Sequence, residues 1–439
     1  MGNNVSAKNL SCPNRRVFSA TNGPFKVELI KTSPIDGQKP GTSGLRKKTK
    51  VFSETENYLE NFVASTLNSV QNGEGTDAYD LATTGQSLLI GGDGRYFNDV
   101  AIQKIVKIGV AMGISRFWIG KDGLLSTPAV SAIIRERGPR WQSPFGAFIL
   151  TASHNPGGPE EDFGIKYNCA NGGPAPEGLT GAIYENTKTI TEYPMCKDFP
   201  DVDISKVGPV TIECPERTVT IDIIDSTETQ VFLLKTAFDF PKIKALLDRD
   251  DFTMVYDSMH GVNGPYAKAV LVDELGQDES TCLNAVPKDD FNGGHADPNL
   301  TYAKELVEIM GLDKTGMTIE TGDRAVPSFG AAADGDGDRN MILGTKFFVT
   351  PSDSLAVIAA NANCIPFFAQ QGGLKGVARS MPTSGAVDLV AKELGFDLFE
   401  TPTGWKVSAL CVFEGHDISF NICIMSYVTC MVVELREPS

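Results

Sequence analysis

Apolar strands alternating with amphipathic helices, acidic glycine-rich turns directly after several of those strands, and a length of 439 residues together predict a layered α/β fold of more than one domain. A single hydrophobic core stops growing near roughly 250–300 residues, so two to four units are expected. Strand-to-turn junctions recur at Leu88 to Arg95, Met254 to Gly264 and Gly330 to Arg339. In open α/β sheets, ligands bind beyond the carboxyl ends of the strands, so such junctions are where chemistry is sought.

Residues 1–25, rich in Asn, Ser and Pro and without periodicity, read as a flexible leader. Ordered structure is expected to begin near Phe25 to Leu29. Ser53-Glu54-Thr55-Glu56 has the form of a capping box, and Leu59, Phe62, Val63, Leu67 and Val70 follow at helical spacing, predicting a helix to about Val70. Leu88 to Ile90 is a short strand before Gly91-Gly92-Asp93-Gly94-Arg95, and Val100, Ile105, Val106 and Val110 mark the next helix. Phe117 to Ile119 is another strand. Ser126-Thr127-Pro128 supplies a cap and an early proline for a helix reaching Arg137. Val219 to Asp225 is expected to open a second domain, and a third is expected from Pro351.

With 39 Lys plus Arg against 55 Asp plus Glu, the net charge of -16 argues against a nucleic-acid partner or an anionic membrane surface. An anionic substrate would have to meet a local basic pocket. Nine cysteines without paired spacing fit a reducing, cytoplasmic setting, and four scattered histidines argue against zinc. No apolar run is long enough to span a bilayer. Met1-Gly2-Asn3-Asn4-Val5-Ser6 fits the N-myristoylation pattern, with Cys12 a second acyl candidate; acylation at Gly2 alone would give only weak membrane association.

The most informative stretch is Phe148 to Gly158, FILTASHNPGG. An apolar strand stops abruptly and leaves the Ser153 hydroxyl in a polar, glycine-rich loop. It is not a hydrolase elbow, because Thr151 and Asn155 stand where Gly-x-Ser-x-Gly needs glycines. Downstream, Asp334, Asp336 and Asp338 alternate with glycines after an Ala-rich strand. Three carboxylates in five residues repel one another, and a hard divalent cation is the usual reason to group them. A calcium EF-hand would need Gly at Arg339 and Glu at Thr345, which leaves Mg²⁺. Rossmann and P-loop glycine fingerprints are both missing.

Thr151 to Gly158 resembles the phosphoserine loop of the α-D-phosphohexomutases, in particular the phosphoglucomutase branch that includes the parafusin-type proteins. Pro40 to Arg46, Asp334 to Asn340 and Thr401 to Lys406 resemble that family's further motifs, in the same order. The resemblance implies phosphohexomutase-type layered α/β/α domains around a cleft. The divisions are a leader at 1–25, domain I at 26–217, domain II at 218–350, a partial domain III at 351–406 and an unrelated tail at 407–439, with a fourth domain missing.

The activity implied is interconversion of glucose 1-phosphate and glucose 6-phosphate through a phosphoserine, with glucose 1,6-bisphosphate as activator and intermediate. On that resemblance Ser153 carries the phosphoryl group, with His154 beside it. Mg²⁺ is held by Ser153, Asp334, Asp336 and Asp338 and acts as a Lewis acid. Lys166 serves as general acid/base, its pKa lowered by burial and by Arg46. Thr42, Ser43, Arg339, Thr403, Gly404 and Lys406 bind the substrate or its phosphate. The family's Gly-Glu-Glu-Ser-Phe-Gly sugar loop and Arg-x-Ser-Gly-Thr clamp have no counterpart after Lys406, so low turnover is expected. A catalytically impaired, parafusin-like phosphoprotein with a scaffolding role in exocytosis or at membranes stays open as an alternative. So does another sugar specificity, such as mannose phosphate.

Overall fold

The computed structural model describes the backbone of residues 16–18 and then residues 25–401, apart from 42–43, 84, 137–142 and 215–216. Two short strands, β1 (Arg16–Phe18) and β2 (Glu28–Lys31), precede β3 (Leu45–Lys48), α1 (Thr49–Glu54) and α2 (Tyr58–Asn72). Consecutive strand–helix units follow as β4 (Leu88–Gly92), α3 (Asn98–Ala111), β5 (Arg116–Leu124), α4 (Thr127–Glu136) and β6 (Gly146–Leu150). Then come β7 (Asp162–Cys169), α5 (Glu177–Thr187), β8 (Glu192–Met195), β9 (Gly208–Glu213) and β10 (Thr218–Ile224).

Eight of these strands make one sheet, ordered β1-β9-β10-β5-β4-β6-β7-β3. Its four central strands, β10, β5, β4 and β6, run parallel, so their C-terminal ends deliver loops to one edge. β4 and β6 are buried along their whole length, which is why they read as unbroken apolar runs. The two-residue period sends Leu88, Ile90, Phe148 and Leu150 into the core under α2, α3 and α5. Leu89, Ala147 and Ile149 face the opposite core with Val130, Ile133 and Ile134 of α4. Helices on both faces make this an α/β/α layer.

The second layered unit contains α6 (Ser226–Ala237), α7 (Phe240–Leu247), β11 (Met254–Asp257), and α8 (Asn263–Ala267), which runs on into a π-helical segment, Lys268–Glu274. β12 (Cys282–Leu283), α9 (Lys304–Ile309), β13 (Phe329–Ala333), β14 (Asn340–Gly344) and β15 (Phe347–Val349) complete it, with sheet order β12-β11-β13-β14-β15. β11 and β13 are parallel, so β13 points its C-terminal end at the turn beginning with Asp334. A third unit contains α10 (Pro351–Asn361), α11 (Pro366–Gln370), β16 (Gly376–Ser380), α12 (Ala386–Leu394) and β17 (Asp397–Thr401), with β16 and β17 paired in parallel. Leu389, Leu394, Leu398 and Phe399 of this unit are exposed.

Three expectations are corrected. Within the leader, Arg16–Phe18 forms a strand that pairs in parallel with Val210 to Ile212, because the outer edge of β9 offers unpaired backbone groups. The Ser53 to Glu56 box caps no helix: Ser53 lies inside α1, and α2 starts at Tyr58 after Asn57 in the left-handed region, φ 63°. The break lets Phe52 pack edge-on against both Tyr58 and Phe163, at ring-centroid distances of 5.1 and 4.9 Å. Finally, β10 does not open the second sheet. It pairs with β5 from Thr220–Arg116 to Ile224–Gly120, and Val219, Ile221 and Ile223 bury themselves in the first core.

Candidate active site

β6 ends at Leu150, and the next three residues turn toward the aspartate loop of the second unit. Thr151 N–H donates to the Gly164 carbonyl at 2.9 Å, still in the manner of a strand. Thr151 Oγ1 then accepts from Ser153 N–H at 2.7 Å and donates to Asp93 Oδ2 at 2.5 Å, so one hydroxyl closes the turn. Ser153 is buried and sits in the left-handed region, φ 58°. For a residue with a Cβ that conformation costs on the order of 1–2 kcal/mol. It is held by a buried ion pair, Asp93 with Arg95, which sequence reasoning treated only as part of a strand–turn junction. Ser153 Oγ donates to Asp334 Oδ2 at 3.1 Å, bridging 181 residues of chain, and His154 Nδ1 lies 3.4 Å from Ser153 Oγ.

On the other side, β13 is small and apolar, Phe-Gly-Ala-Ala-Ala, so it packs closely and brings Asp334, at its C-terminal end, against Ser153. Asp338 N–H and Arg339 N–H both donate to Asp334 Oδ1 at 3.0 Å, curling the loop around that carboxylate. A Cβ at Gly335 would lie 2.8 Å from the Ser153 carbonyl oxygen, so glycine there permits the approach of the two loops. The carboxylates of Asp334, Asp336 and Asp338 offer oxygens within 4.8 Å of one another. No other such cluster occurs among the described residues. Asp336 Oδ2 accepts from Lys166 Nζ at 2.6 Å and from Thr127 Oγ1 at 2.7 Å. Its other oxygen, Oδ1, is buried with no hydrogen-bond donor. An all-carboxylate oxygen set with one oxygen left orphaned fits a hard divalent cation.

The charges explain the ionisation. Burial, then repulsion from Asp336 and Asp338, pushes Asp334 well above the ordinary carboxylate range. Burial and Asp336 push Asp338 up to about 6. Burial pushes Asp336 upward as well, but the Lys166 ammonium outweighs it and holds Asp336 below its ordinary value. Lys166 corrects an expectation. Burial and Arg46 do draw it down, yet the adjacent carboxylates of Asp336 and Asp338 outweigh both and raise it. Burial first, then Arg339, lowers His154. Arg46, on β3 opposite Gly164, is also lowered by burial, against the pull of Asp336 and Asp338.

Ser153, His154, Lys166, Arg46, Asp334, Asp336, Asp338 and Arg339 are therefore gathered around one point, although they come from four separate segments. Arg339 is the most open of them and faces Asp297, with 3.9 Å between NH1 and Oδ1. Gly44, φ 91°, lies against Ile165 and Lys166 with no room for a Cβ. Thr42, Ser43, Thr403, Gly404, Lys406 and the myristoylation pattern at Gly2 lie outside the described residues. Sequence reasoning missed Asp93, Arg95, Thr127 and Thr151 as site residues. Thr127 read as a helix start, and the hydrogen bond that Ala129 N–H donates to Ser126 Oγ, 3.2 Å, supports that part. Its partner Asp336 lies 209 residues away, beyond any local signal.

Family models for phosphoglucomutase/phosphomannomutase match the chain in order: α/β/α domain I at 37–194, domain II at 233–346 and domain III at 351–423. The third runs past Lys406, so similarity continues into the stretch read from sequence as an unrelated tail. The cytoplasmic phosphoglucomutase of Mesembryanthemum crystallinum is 59% identical over 91% of this chain and 65% of its own length. The Solanum tuberosum enzyme is 58% identical over 87% of this chain and 63% of its own. The chain thus spans a little under two thirds of these relatives. The open form of the exocytosis-sensitive phosphoprotein pp63/parafusin, a phosphoglucomutase from Paramecium, superposes with a TM-score of 0.80 at 46% identity, covering 89% of this chain and 66% of that one. With three successive domain models and similarity to such relatives over most of its own length, the chain belongs to the phosphoglucomutase/phosphomannomutase family.

Proposed function

We propose that this site moves a phosphoryl group between hydroxyls of a hexose phosphate, interconverting glucose 1-phosphate and glucose 6-phosphate with glucose 1,6-bisphosphate as the exchanged intermediate. The observation that carries the reading is the 3.1 Å hydrogen bond from Ser153 Oγ to Asp334, which puts a nucleophilic oxygen at the edge of a cation-sized carboxylate cluster. Ser153 is the phosphate carrier. In transfer to sugar, the bond from phosphorus to Ser153 Oγ breaks, a bond to the sugar oxygen forms, and the attacking hydroxyl gives up its proton. The return step reverses each change at the other hydroxyl.

Asp334, Asp336 and Asp338, together with a Ser153 phosphate oxygen, would hold Mg²⁺, which supplies Lewis-acid neutralisation of the transferring oxygens. Lys166 is the acid/base residue: as the ammonium it gives its proton to the leaving oxygen, and once neutral, with its ion pair to Asp336 loosened, it accepts the proton of the attacking hydroxyl. Arg46 and Arg339 supply positive charge to the phosphoryl oxygens, and His154 borders Ser153 Oγ. Thr42, Ser43, Thr403, Gly404 and Lys406 complete the substrate contacts on the family motifs they match. Names of the plant relatives support a cytoplasmic setting.

The test is conversion of glucose 1-phosphate to glucose 6-phosphate with Mg²⁺ and the bisphosphate, with intact mass read in parallel. Wild type should gain one phosphate at Ser153, and Ser153→Ala should gain none and lose on the order of a thousandfold or more in rate. A phosphorylated wild type without turnover would instead support the second reading. That reading, a phosphoprotein with a scaffolding role, is favoured by the similarity to the exocytosis-sensitive Paramecium protein and by the Gly2 pattern.

A further inference from the structure

The Gly91 to Arg95 turn at the end of β4 is a strand–turn junction that the proposed chemistry leaves unused, and Arg95 within it is among the largest fully buried side chains. Each of its three nitrogens has a hydrogen-bond partner. Nε donates to both oxygens of Asp93 at 3.0 Å, NH2 pairs with Asp93 Oδ2 at 2.8 Å, NH2 donates to the Ser153 carbonyl at 2.8 Å, and NH1 donates to the Asp162 carbonyl at 2.7 Å. The same cation lies 5.2 Å from the ring centroid of Phe291 in the second unit. That ring would also border a Cβ at Gly335, in the aspartate loop. Beside it, Tyr96 N–H donates to the Asp289 carbonyl at 2.8 Å.

We propose that Arg95 is the positioning residue of the Ser153 loop. The planar fork grips the carbonyl of the left-handed serine from behind, while Asp93 fixes Thr151 and through it the Ser153 N–H, so both backbone groups of the serine are clamped and Oγ faces Asp334. Stacking on Phe291 ties that clamp to the unit carrying the aspartates, so the distance between the two loops is set by a residue that touches neither substrate nor cation. Lysine offers one point charge in place of the fork and cannot hold Asp93 and two carbonyls together. The holding of the loop stands on these contacts alone; its consequence for transfer rests on the reading of Ser153 as the phosphate carrier.

The test compares Arg95→Lys with wild type, each as the full chain. Lysine keeps Asp93 paired, so the fold should persist. Hydrogen–deuterium exchange is read on peptides covering residues 150–158 and on peptides from β4, β5 and β10. Loop exchange should rise about tenfold or more with the sheet unchanged, and phosphate uptake at Ser153 from glucose 1,6-bisphosphate should slow by roughly a hundredfold. Should Arg95→Lys fail to melt cooperatively, Asp93→Asn with Arg95→Met, which leaves no buried charge unpaired, takes its place with the same expectation. Unchanged loop exchange, or exchange rising equally through the whole sheet, would overturn the proposal. So would normal uptake despite a loosened loop. A wild type that takes up no phosphate would remove the phosphoserine reading instead, and the exchange comparison would still judge Arg95.

Discussion

Ser153 pays a conformational cost that a glycine would avoid, and this separates its chemical role from its structural one. At φ 58° the Cβ is strained by about 1–2 kcal/mol, against which stand the bonds of Oγ to Asp334 and His154. Ser153→Gly is expected to be as stable as wild type or up to about 1 kcal/mol more so, while accepting no phosphate. Denaturant unfolding beside intact mass checks both; a loss of more than about 2 kcal/mol would mean that the hydroxyl holds the loop rather than acting from it. Strain kept at a reacting residue while the surroundings over-determine it is the pattern expected of a functional site. Sequence marks Ser153, Asp334, Asp336 and Asp338 well, because all four lie within five residues after the end of an apolar strand. The ionisation of Lys166 was not legible: its direction depends on a carboxylate 2.6 Å away that lies 170 residues along the chain.

Between elements, the decisive contact is that of two loops, each at the end of a fully buried strand. Gly335 is where they touch, and a Cβ there would meet the Ser153 carbonyl at 2.8 Å and Phe291 Cζ at 3.0 Å. Gly335→Ala should cost about 1–3 kcal/mol in stability, as overpacking does, and should weaken cation-induced stabilisation by pushing the aspartates away from Ser153. Melting with and without Mg²⁺ measures both, and an unchanged Mg²⁺ shift would show that the loops tolerate separation. β4, β6 and β13 were legible because parallel strands buried on both faces read as short apolar runs. The membership of β10 was not, since its Val219, Ile221 and Ile223 would satisfy either core. Nor was the depth of Arg95: a Gly-Gly-Asp-Gly-Arg turn looks solvated until two backbone carbonyls from elsewhere in the chain are found to receive the guanidinium.

For the molecule as a whole, buried phenols set the alkaline limit. Burial pushes Tyr58 up to about 12, and it raises Tyr167, Tyr193 and Tyr266 as well. Between the unfolded pKa near 10 and these raised values the folded state binds more protons than the unfolded one, so stability is intact below about pH 10 and falls as pH rises. Each such group removes about 1.36 kcal/mol per pH unit within its window. Tyr58→Phe should flatten the fall between pH 10 and 12 by one group's worth, read from unfolding curves alongside tyrosinate absorbance; an identical slope would mean that Tyr58 ionises freely. The bridge from Ser153 to Asp334 also has a meaning in time, since 181 residues separate its ends. At about 5–20 residues per second, a ribosome finishes the serine loop on the order of ten to forty seconds before the aspartates exist. Throughout that interval the nascent first sheet must keep a strained serine in place with Asp93, Arg95 and Thr151 alone, so the holding network is needed first at birth, before there is any reaction to serve.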